Sequence, residues 1–446
     1  MFDARKPSDR NTRRASLTCT ILLIGVLSGC GLPARSPVPQ SVDPPATRVS
    51  AEQQCVVQDV AEQVLTVGEA RELYVEPAAL VASGGDVLLA GSPNYLWTRD
   101  SGGKLLAESQ DSVFGVVVRE DGSAVLVGSP VSPQLIEVIR AVPFGPGSWA
   151  VVFAEMTSGH TFARPGKVAR LWYGVLKGNE WDHLEEIPYA RSEDLHPRGI
   201  SDLLLRRDTV AVAIPTNLIG TGSGVVYFER ANGAWTHEFV RAPDAVHATL
   251  SYAPDRGVAL GIVQPAPELE GDANSFFLYS RGTRWDGREM IVRGGSSPVF
   301  APSLTLTAGG GGVLTYFSVV QAPEGGRSEG RVLLDPLGSD PQGRIMTVDS
   351  SSVGLTPVIL PPGGVLWVSD HAASDERREI HFIGHVRGAA LYRHVIPNPY
   401  EGPFAAARKS DDEVLVAGPR VDRGEGAVPL VTLLLRARVS CRGTVP

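Results

Sequence analysis

The sequence of 446 residues is poor in cysteine, with four, and in methionine, also with four. It also lacks a membrane-spanning run. A transmembrane helix takes about 20 consecutive apolar residues, and the apolar stretch Leu17 to Leu27 is shorter than that. Basic residues are outnumbered, 41 Lys and Arg against 49 Asp and Glu. Nucleic-acid binding rests on Lys and Arg neutralising phosphates, and attraction to anionic lipid needs basic clusters. The composition therefore points away from nucleic acid and from a charged lipid surface. No H-E-x-x-H or C-x-x-C occurs, so neither a zinc-protease helix nor a dithiol motif is on offer. Helical periodicity is also scarce, and the one candidate helix is Gln58–Leu65.

The first thirty residues carry an address. Residues 1–14 hold Arg5, Lys6, Arg10, Arg13 and Arg14 against Asp3 and Asp9, and the apolar stretch follows. A basic start, a short apolar core and small residues before a cut site describe a secretory signal peptide. Ser16 stands where a twin-arginine signal prefers an apolar residue, which favours general secretion for Thr12-Arg13-Arg14. The end of the stretch, Leu27-Ser28-Gly29-Cys30, resembles the bacterial lipobox. That resemblance implies a lipidated thiol on Cys30, which becomes the first residue of the mature chain. An ordinary signal peptide with an incidental Cys30 is the alternative. Gly31 follows rather than Asp, which in enteric bacteria implies the outer membrane, with the body on its periplasmic or surface face. Removing residues 1–29 leaves 417 and moves the net charge from −8 to −11, because the leader is five basic against two acidic.

Cys19 lies in the leader, so Cys55 and Cys441 are the two cysteines left beyond Cys30. In an oxidising compartment a pair of this kind predicts a disulfide, with two separate buried thiols as the alternative. Residues 31–50 contain proline at 33, 37, 39, 44 and 45 and almost no bulky apolar residue. Such a segment stays extended as a tether, on the order of 60 Å long at about 3.1 Å per residue. The predicted organisation is thus a signal peptide at 1–29, a lipidated Cys30 with its tether at 30–54, and a folded body at 55–446.

In the body the apolar period is two. Short branched runs such as Val87-Leu88-Leu89-Ala90, Val125-Leu126-Val127 and Val414-Leu415-Val416-Ala417 follow turn residues such as Gly84-Gly85, Asp121-Gly122 and Asp255-Arg256-Gly257. Such pairs of runs read as β-hairpins. Second strands begin near Val87, Val151, Val210, Val258, Val313, Val365 and Val414, at spacings of 64, 59, 48, 55, 52 and 49. Tyr173, Tyr227 and Phe277 each precede a tryptophan, Trp181, Trp235 and Trp285, by eight residues across a polar turn. About four strands in roughly 50 residues predict an all-β chain folded as a β-propeller. Seven blades fit best, with six to eight allowed: the hairpin Phe114–Gly128 does not fall in frame and is an insertion or a compact blade making eight, and irregular ends would make six. The repeated aromatics predict packing between blades. The last unit offers three strands, so an N-terminal piece, Val64–Val67 or Leu73–Val75, is expected to supply the fourth, with Cys55–Cys441 locking the seam.

Candidate chemistry is sparse. Thr98 to Leu105 resembles a sialidase Asp box, with Leu105 in the aromatic place. In that family the box shapes a turn and does no chemistry. His381 and His385 stand about 13 Å apart on a strand, too far to share one metal, and are read as exposed structural histidines. Gly220 to Gly224 lacks the lysine and the helix of a phosphate loop. The acidic loops Glu268–Asp272 and Asp422–Glu425 lack alternating calcium ligands. No catalytic residue, cofactor or metal is expected from this inventory. It points to a lipid-anchored envelope module that binds or scaffolds through its loops, Arg191–Pro197, Pro265–Asn274 and Gln321–Gly330, with an envelope protein or a glycan as partner. The alternative is an exported glycoside-acting enzyme of sialidase-like type.

Overall fold

A computed structural model describes residues 54–442 outside the connections 69–70, 100–104, 110–112, 132–134, 159–166, 197–201, 207–208, 217–221, 267–273, 282–284, 286, 295–297, 307–310, 323–324, 335, 338–344, 351, 361–363, 375–376, 386–391, 401–403 and 422–429. The signal peptide, Cys30 and the tether up to residue 53 lie outside the described residues.

The described residues are almost wholly strand, in sheets that succeed one another along the chain. Strand β1 (Gln54–Val64) leads. The first sheet holds β2 (Thr66–Val67), β3 (Arg71–Ser83), β4 (Asp86–Arg99), β5 (Leu105–Ser109), β6 (Val113–Val118) and β7 (Ala124–Gly128). The second holds β8 (Leu135–Gly145), β9 (Ser148–Ser158), β10 (Lys167–Lys177) and β11 (Glu180–Ile187). After a single 3₁₀ turn at Ser192–Asp194, the third holds β12 (Asp202–Arg206), β13 (Thr209–Pro215), β14 (Gly224–Ala231) and β15 (Ala234–Arg241). The fourth holds β16 (His247–Ala253), β17 (Gly257–Gln264), β18 (Ser275–Ser280) and β19 (Gly287–Val292). The fifth holds β20 (Val299–Leu306), β21 (Gly312–Ala322), β22 (Gly325–Leu334) and β23 (Ile345–Ser350). The sixth holds β24 (Ser352–Leu360), β25 (Gly364–Ser374), β26 (Arg377–His385) and β27 (Tyr392–Pro397). Then β28 (Ala405–Arg408), β29 (Glu413–Val421) and β30 (Leu430–Arg442) are joined by β1 in the last sheet.

Within the four-stranded sheets the chain runs up and down between antiparallel neighbours, and the first strand of one sheet packs on the first strand of the next, as β8 on β12 and β12 on β16. This is the β-propeller arrangement. Its burial explains the sequence pattern. The second strands β13 and β17 are buried on both faces, so they read as unbroken apolar runs. The fourth strands β11 and β15 expose half or more of their positions and read as polar alternation. The hairpin joining β14 to β15 turns at Asn232-Gly233, with φ of 51° and 78°. A type I′ turn needs positive φ at both central residues.

The cores lie between sheets. Val210, Val212, Val226 and Phe228 of the third sheet pack on Val152, Leu171, Tyr173 and Val175 of the second. On its other face the third sheet sets Val225 and Tyr227 against Leu250, Leu260 and Ile262 of the fourth. The first sheet packs in the same way on the second. It also packs on the last, where Leu80, Val87 and Leu89 meet Leu415, Ala417 and Leu434. Each such side chain taken fully out of water contributes about 1.5–3 kcal/mol. Buried polar bonds fix the register between sheets. The Asp202 carboxylate at the start of β12 accepts from Thr249 Oγ1 at 2.9 Å and from the Leu250 N–H at 2.8 Å, both on β16. The Ser251 hydroxyl accepts from the Leu306 N–H at 2.8 Å, and Thr432 Oγ1 from the Val75 N–H at 2.7 Å.

Two expectations change, and an open alternative is decided. Gln58–Leu65 is not a helix; it falls in β1 and the residue after it. The strand that joins β28–β30 is β1, Gln54–Val64, and not Val64–Val67 or Leu73–Val75. Phe114–Gly128 forms β6 and β7 within the first sheet, as the insertion alternative has it, and not an extra sheet. Strand β4 serves two partners: Val87–Ala90 pair with β6, and Tyr95–Arg99 pair with β5.

Candidate functional site

The seam between the second and third sheets is held by a clasp. Tyr173 on β10 lies directly across from Glu185 on β11, and Arg230 on β14 directly across from Trp235 on β15. The two cross-strand pairs face each other. Trp235 meets the Tyr173 ring edge-on at 5.8 Å, and its Nε1 donates to Glu185 at 3.0 Å. Arg230 donates to Glu185 and sits 5.9 Å from the Tyr173 ring centre. Burial pushes the Glu185 pKa up, but the Arg230 and Trp235 hydrogen bonds outweigh it and hold the carboxyl below its ordinary range.

The next seam repeats the ring contact and the Arg–Glu pair of the clasp, but not its tryptophan hydrogen bond, since Trp285 Nε1 has no partner among the described residues. Tyr227 lies across from Glu238, and Trp285 meets the Tyr227 ring at 4.9 Å. Arg281 donates to Glu238 and lies 5.2 Å from the Tyr227 ring centre. The predicted inter-blade role of the repeated Tyr and Trp positions is thus realised at these two seams. Trp181 of the preceding unit does the same against Phe114, at 5.0 Å.

The second clasp has an addition. Glu229, two residues after Tyr227, stands where the first clasp has Val175. It accepts from the Tyr227 hydroxyl at 2.6 Å and from Arg281 at 2.5 Å. Burial and then this hydrogen bond raise the Tyr227 pKa far above the ordinary phenol value, so the phenol stays protonated. Burial opposes the Arg281 charge, but Glu229 and Glu238 more than restore it, and its pKa is raised.

Glu229 and Arg281 line a cavity of about 260 Å³ between the third and fourth sheets, and its lining also includes Arg206, Thr209, Arg256 and Val258. The fold assembles these residues at one end of the sheets. Arg206 and Thr209 flank the β12–β13 hairpin, Arg256 and Gly257 the β16–β17 hairpin, and Arg281 follows β18. Arg206 and Arg256 are exposed. The Arg206 guanidinium is stacked 3.8 Å over the Tyr252 ring, across the seam. Among the described residues neither Arg206 nor Arg256 meets a carboxylate. The cavity therefore presents fixed cationic forks beside a carboxylate and a hydroxyl.

The residues singled out in the sequence are dispersed. Cys30 lies outside the described residues, as do Glu268–Asp272, Asp422–Glu425, Gly220-Thr221 and Asp100–Lys104. Cys55 and Cys441 are brought together, directly opposite one another in the β1–β30 register. Of the stretch Thr98 to Leu105, the described ends are Thr98-Arg99 on β4 and Leu105 on β5, with Arg99 paired to Leu105. His381 and His385 share strand β26, as expected, but His381 is buried, not exposed, and its Nε2 lies 3.0 Å from Glu379 Oε2. Gln321–Gly330 is less a loop than a tight hairpin, Ala322 pairing with Gly325. That hairpin holds a motif the sequence reading missed. Gly326-Arg327-Ser328-Glu329-Gly330 spells G-x-S-x-G, but it runs inside β22. A nucleophile elbow needs a sharp strand-to-helix turn at the serine, so the motif is a strand here. The clasp aromatics were legible by their repeat, but nothing local marked Arg206, Arg256 or Glu229.

No protein-family model matches the chain, and no curated protein matches it in sequence. Solved structures resemble it at low identity. A Dyadobacter fermentans protein of unknown function is 11% identical over 86% of this chain and 99% of its own, with a TM-score of 0.45. An ulvan lyase of a new polysaccharide lyase family is 10% identical over 81% and 94%, with a TM-score of 0.48. The WD40 domain of SCAP from fission yeast is 9% identical over 87% and 98%, with a TM-score of 0.42. Likeness at this level transfers no residue roles to this chain.

Proposed function

We propose that this protein is a lipid-anchored binding module of a bacterial cell envelope. Cys30 carries the lipid, residues 30–54 are the leash, and the body stands at the outer membrane on its periplasmic or surface face. The seven sheets are the blades of a closed ring, with β1 completing the last blade and a Cys55–Cys441 bond tying the seam. The core between the first and last sheets and the register of Cys55 opposite Cys441 support that closure. The observation that carries binding is the cavity at the third seam. Glu229, Arg206 and Arg256 add charge there that the neighbouring clasp does without. Clustered charge on a rigid frame is a recognition feature, whereas single surface pairs add little stability. An envelope protein or a glycan is the partner. A glycoside-acting enzyme on the same frame is the competing reading.

The test is fractionation of bacteria expressing the wild type or Cys30→Ala, with crosslinking and purification from detergent-solubilised envelopes. The wild type should sediment with the outer membrane and bring down an envelope component, and Cys30→Ala should be released and lose it. Identical fractionation of the two would remove the anchor. Product formed from an oligosaccharide by the purified protein would replace binding with catalysis.

A further inference from the structure

The lining of the cavity between the third and fourth sheets points to an anionic, hydroxyl-bearing ligand. Three guanidinium groups, Arg206, Arg256 and Arg281, line it with one carboxylate, Glu229, and Arg281 is bound to that acid and to Glu238 outside the lining. Among the described residues Arg206 and Arg256 meet no carboxylate, so they are the groups that face an anion.

Arg206 is prepared for that role. Stacking on Tyr252 holds the guanidinium over the ring, and an arginine edge offers parallel N–H donors that match a carboxylate. A planar fork already held in place loses little freedom on binding. The rest of the lining suits hydroxyl groups. Glu229 uses Oε2 for Tyr227 and Arg281, and among the described residues its Oε1 has no hydrogen-bond partner. Thr209 adds a hydroxyl that can donate or accept. A ligand meeting both kinds of group carries one carboxylate and several hydroxyls.

We infer that this cavity binds a uronic-acid residue of an acidic polysaccharide, its carboxylate on Arg206 and Arg256 and its hydroxyls on Glu229 and Thr209. This rests on the binding reading above and narrows it to an acidic glycan. It does not depend on the anchor, so the two fail separately.

The experiment is titration calorimetry with the full-length lipoprotein in neutral detergent. The probes are trimers of galacturonate, glucuronate and mannuronate, the neutral trimers of the parent hexoses, and inorganic phosphate. At least one uronide should bind, and its neutral counterpart should bind at least tenfold more weakly. Arg256→Ala and Arg206→Lys should each weaken uronide binding at least tenfold, the second because it keeps charge but loses the planar fork. Arg420→Ala, whose arginine is paired with Glu62 in the last sheet, away from the cavity, should bind as wild type. Unchanged thermal melting of each variant separates a lost site from a lost fold. No uronide binding at millimolar concentration would overturn the inference, and so would equal affinity for the neutral trimers. Phosphate binding tighter than every uronide would overturn the ligand class. Wild-type affinity in Arg256→Ala would overturn the site, while fractionation of Cys30→Ala would still decide the anchor.

Discussion

Reducing the protein should loosen its last sheet, by an amount the β1–β30 register sets. Cys55 and Cys441 are directly opposed there. Opposed residues on antiparallel strands have Cα atoms about 4.5–5.5 Å apart, inside the range of about 4.4–6.8 Å that a disulfide spans. The bond would close a loop of roughly 390 residues, for which the chain-entropy relation gives about 6 kcal/mol. That is a ceiling. The unfolded chain keeps some structure, and the two cysteines sit at the end of their strands, one pair in from Gln54 and Arg442. A loss of about 2–4 kcal/mol on reduction is the working figure, as is usual for native bridges. The assay is guanidinium unfolding of protein exported to an oxidising compartment, with and without reductant, beside Cys441→Ser. Reduced wild type and Cys441→Ser should share one midpoint, both below the oxidised protein. The intact mass should be lower by two hydrogens than the dithiol. Two titratable thiols in the unreduced folded protein would refute the reasoning, and so would a midpoint that reductant leaves in place.

Acid should weaken the fold through His247, at the start of β16. Burial, and then the charge of His196, lower its pKa from 6.5 to about 4. The unfolded chain therefore takes up this proton near pH 6.5 and the folded one only near 4. The stability tied to it is complete above pH 6.5 and drains away as pH falls to 4, by about 1.4 kcal/mol per unit and about 3 kcal/mol in all. Urea midpoints at pH 7.5 and 4.5 should fall further in wild type than in His247→Gln, and equal falls would sink the assignment. Asp202→Ala should cost about 2–4 kcal/mol, because it strands the Thr249 hydroxyl and the Leu250 N–H, buried donors each worth about 1–3 kcal/mol when unmet. Asp202→Asn, which keeps an acceptor oxygen, should melt clearly higher than Asp202→Ala, and coincident melting curves would mean that the carboxylate is not what joins β12 to β16.

The second strands were readable in advance because both of their faces are buried. Val210 to Ile214 and Val258 to Val263 are apolar runs behind turn residues, and no other element produces that pattern at this spacing. The Tyr–Trp frame was legible for a related reason, since the same inter-sheet contact is made again at each of two seams. Strand β1 escaped because its register shifts between Gln58 and Ala61, with Asp59 at a φ of 50°. The bulge sets Val57, Val60 and Val64 three and four residues apart, which is helical spacing on a strand. The first sheet escaped because β4 is long enough to pair with β6 along one half and β5 along the other, so one strand carries two hairpins. Arg206 and Arg256 are fifty residues apart in turns that look alike in sequence. Only the packing of β12 on β16 makes them neighbours.

A repeat also separates charges that hold the frame from charges that do something else. At the second–third seam, Tyr173, Glu185, Arg230 and Trp235 satisfy one another, and the position two after the tyrosine is Val175. At the third–fourth seam Tyr227, Glu238, Arg281 and Trp285 take the same places, with the ring contact and the Arg–Glu pair repeated but not the tryptophan-to-carboxylate hydrogen bond, and the position two after the tyrosine is Glu229. The first seam shows that the clasp closes without a carboxylate there. Glu229 draws Arg281 away from a simple pair with Glu238 and takes the Tyr227 proton donor as well. Arg206 is likewise stacked on Tyr252 without a carboxylate partner among the described residues. A solvent-facing arginine loses side-chain freedom when it is pinned in this way. The clasp does not need that ordering, but recognition of a carboxylate does, because a fork already in position binds without first having to be fixed.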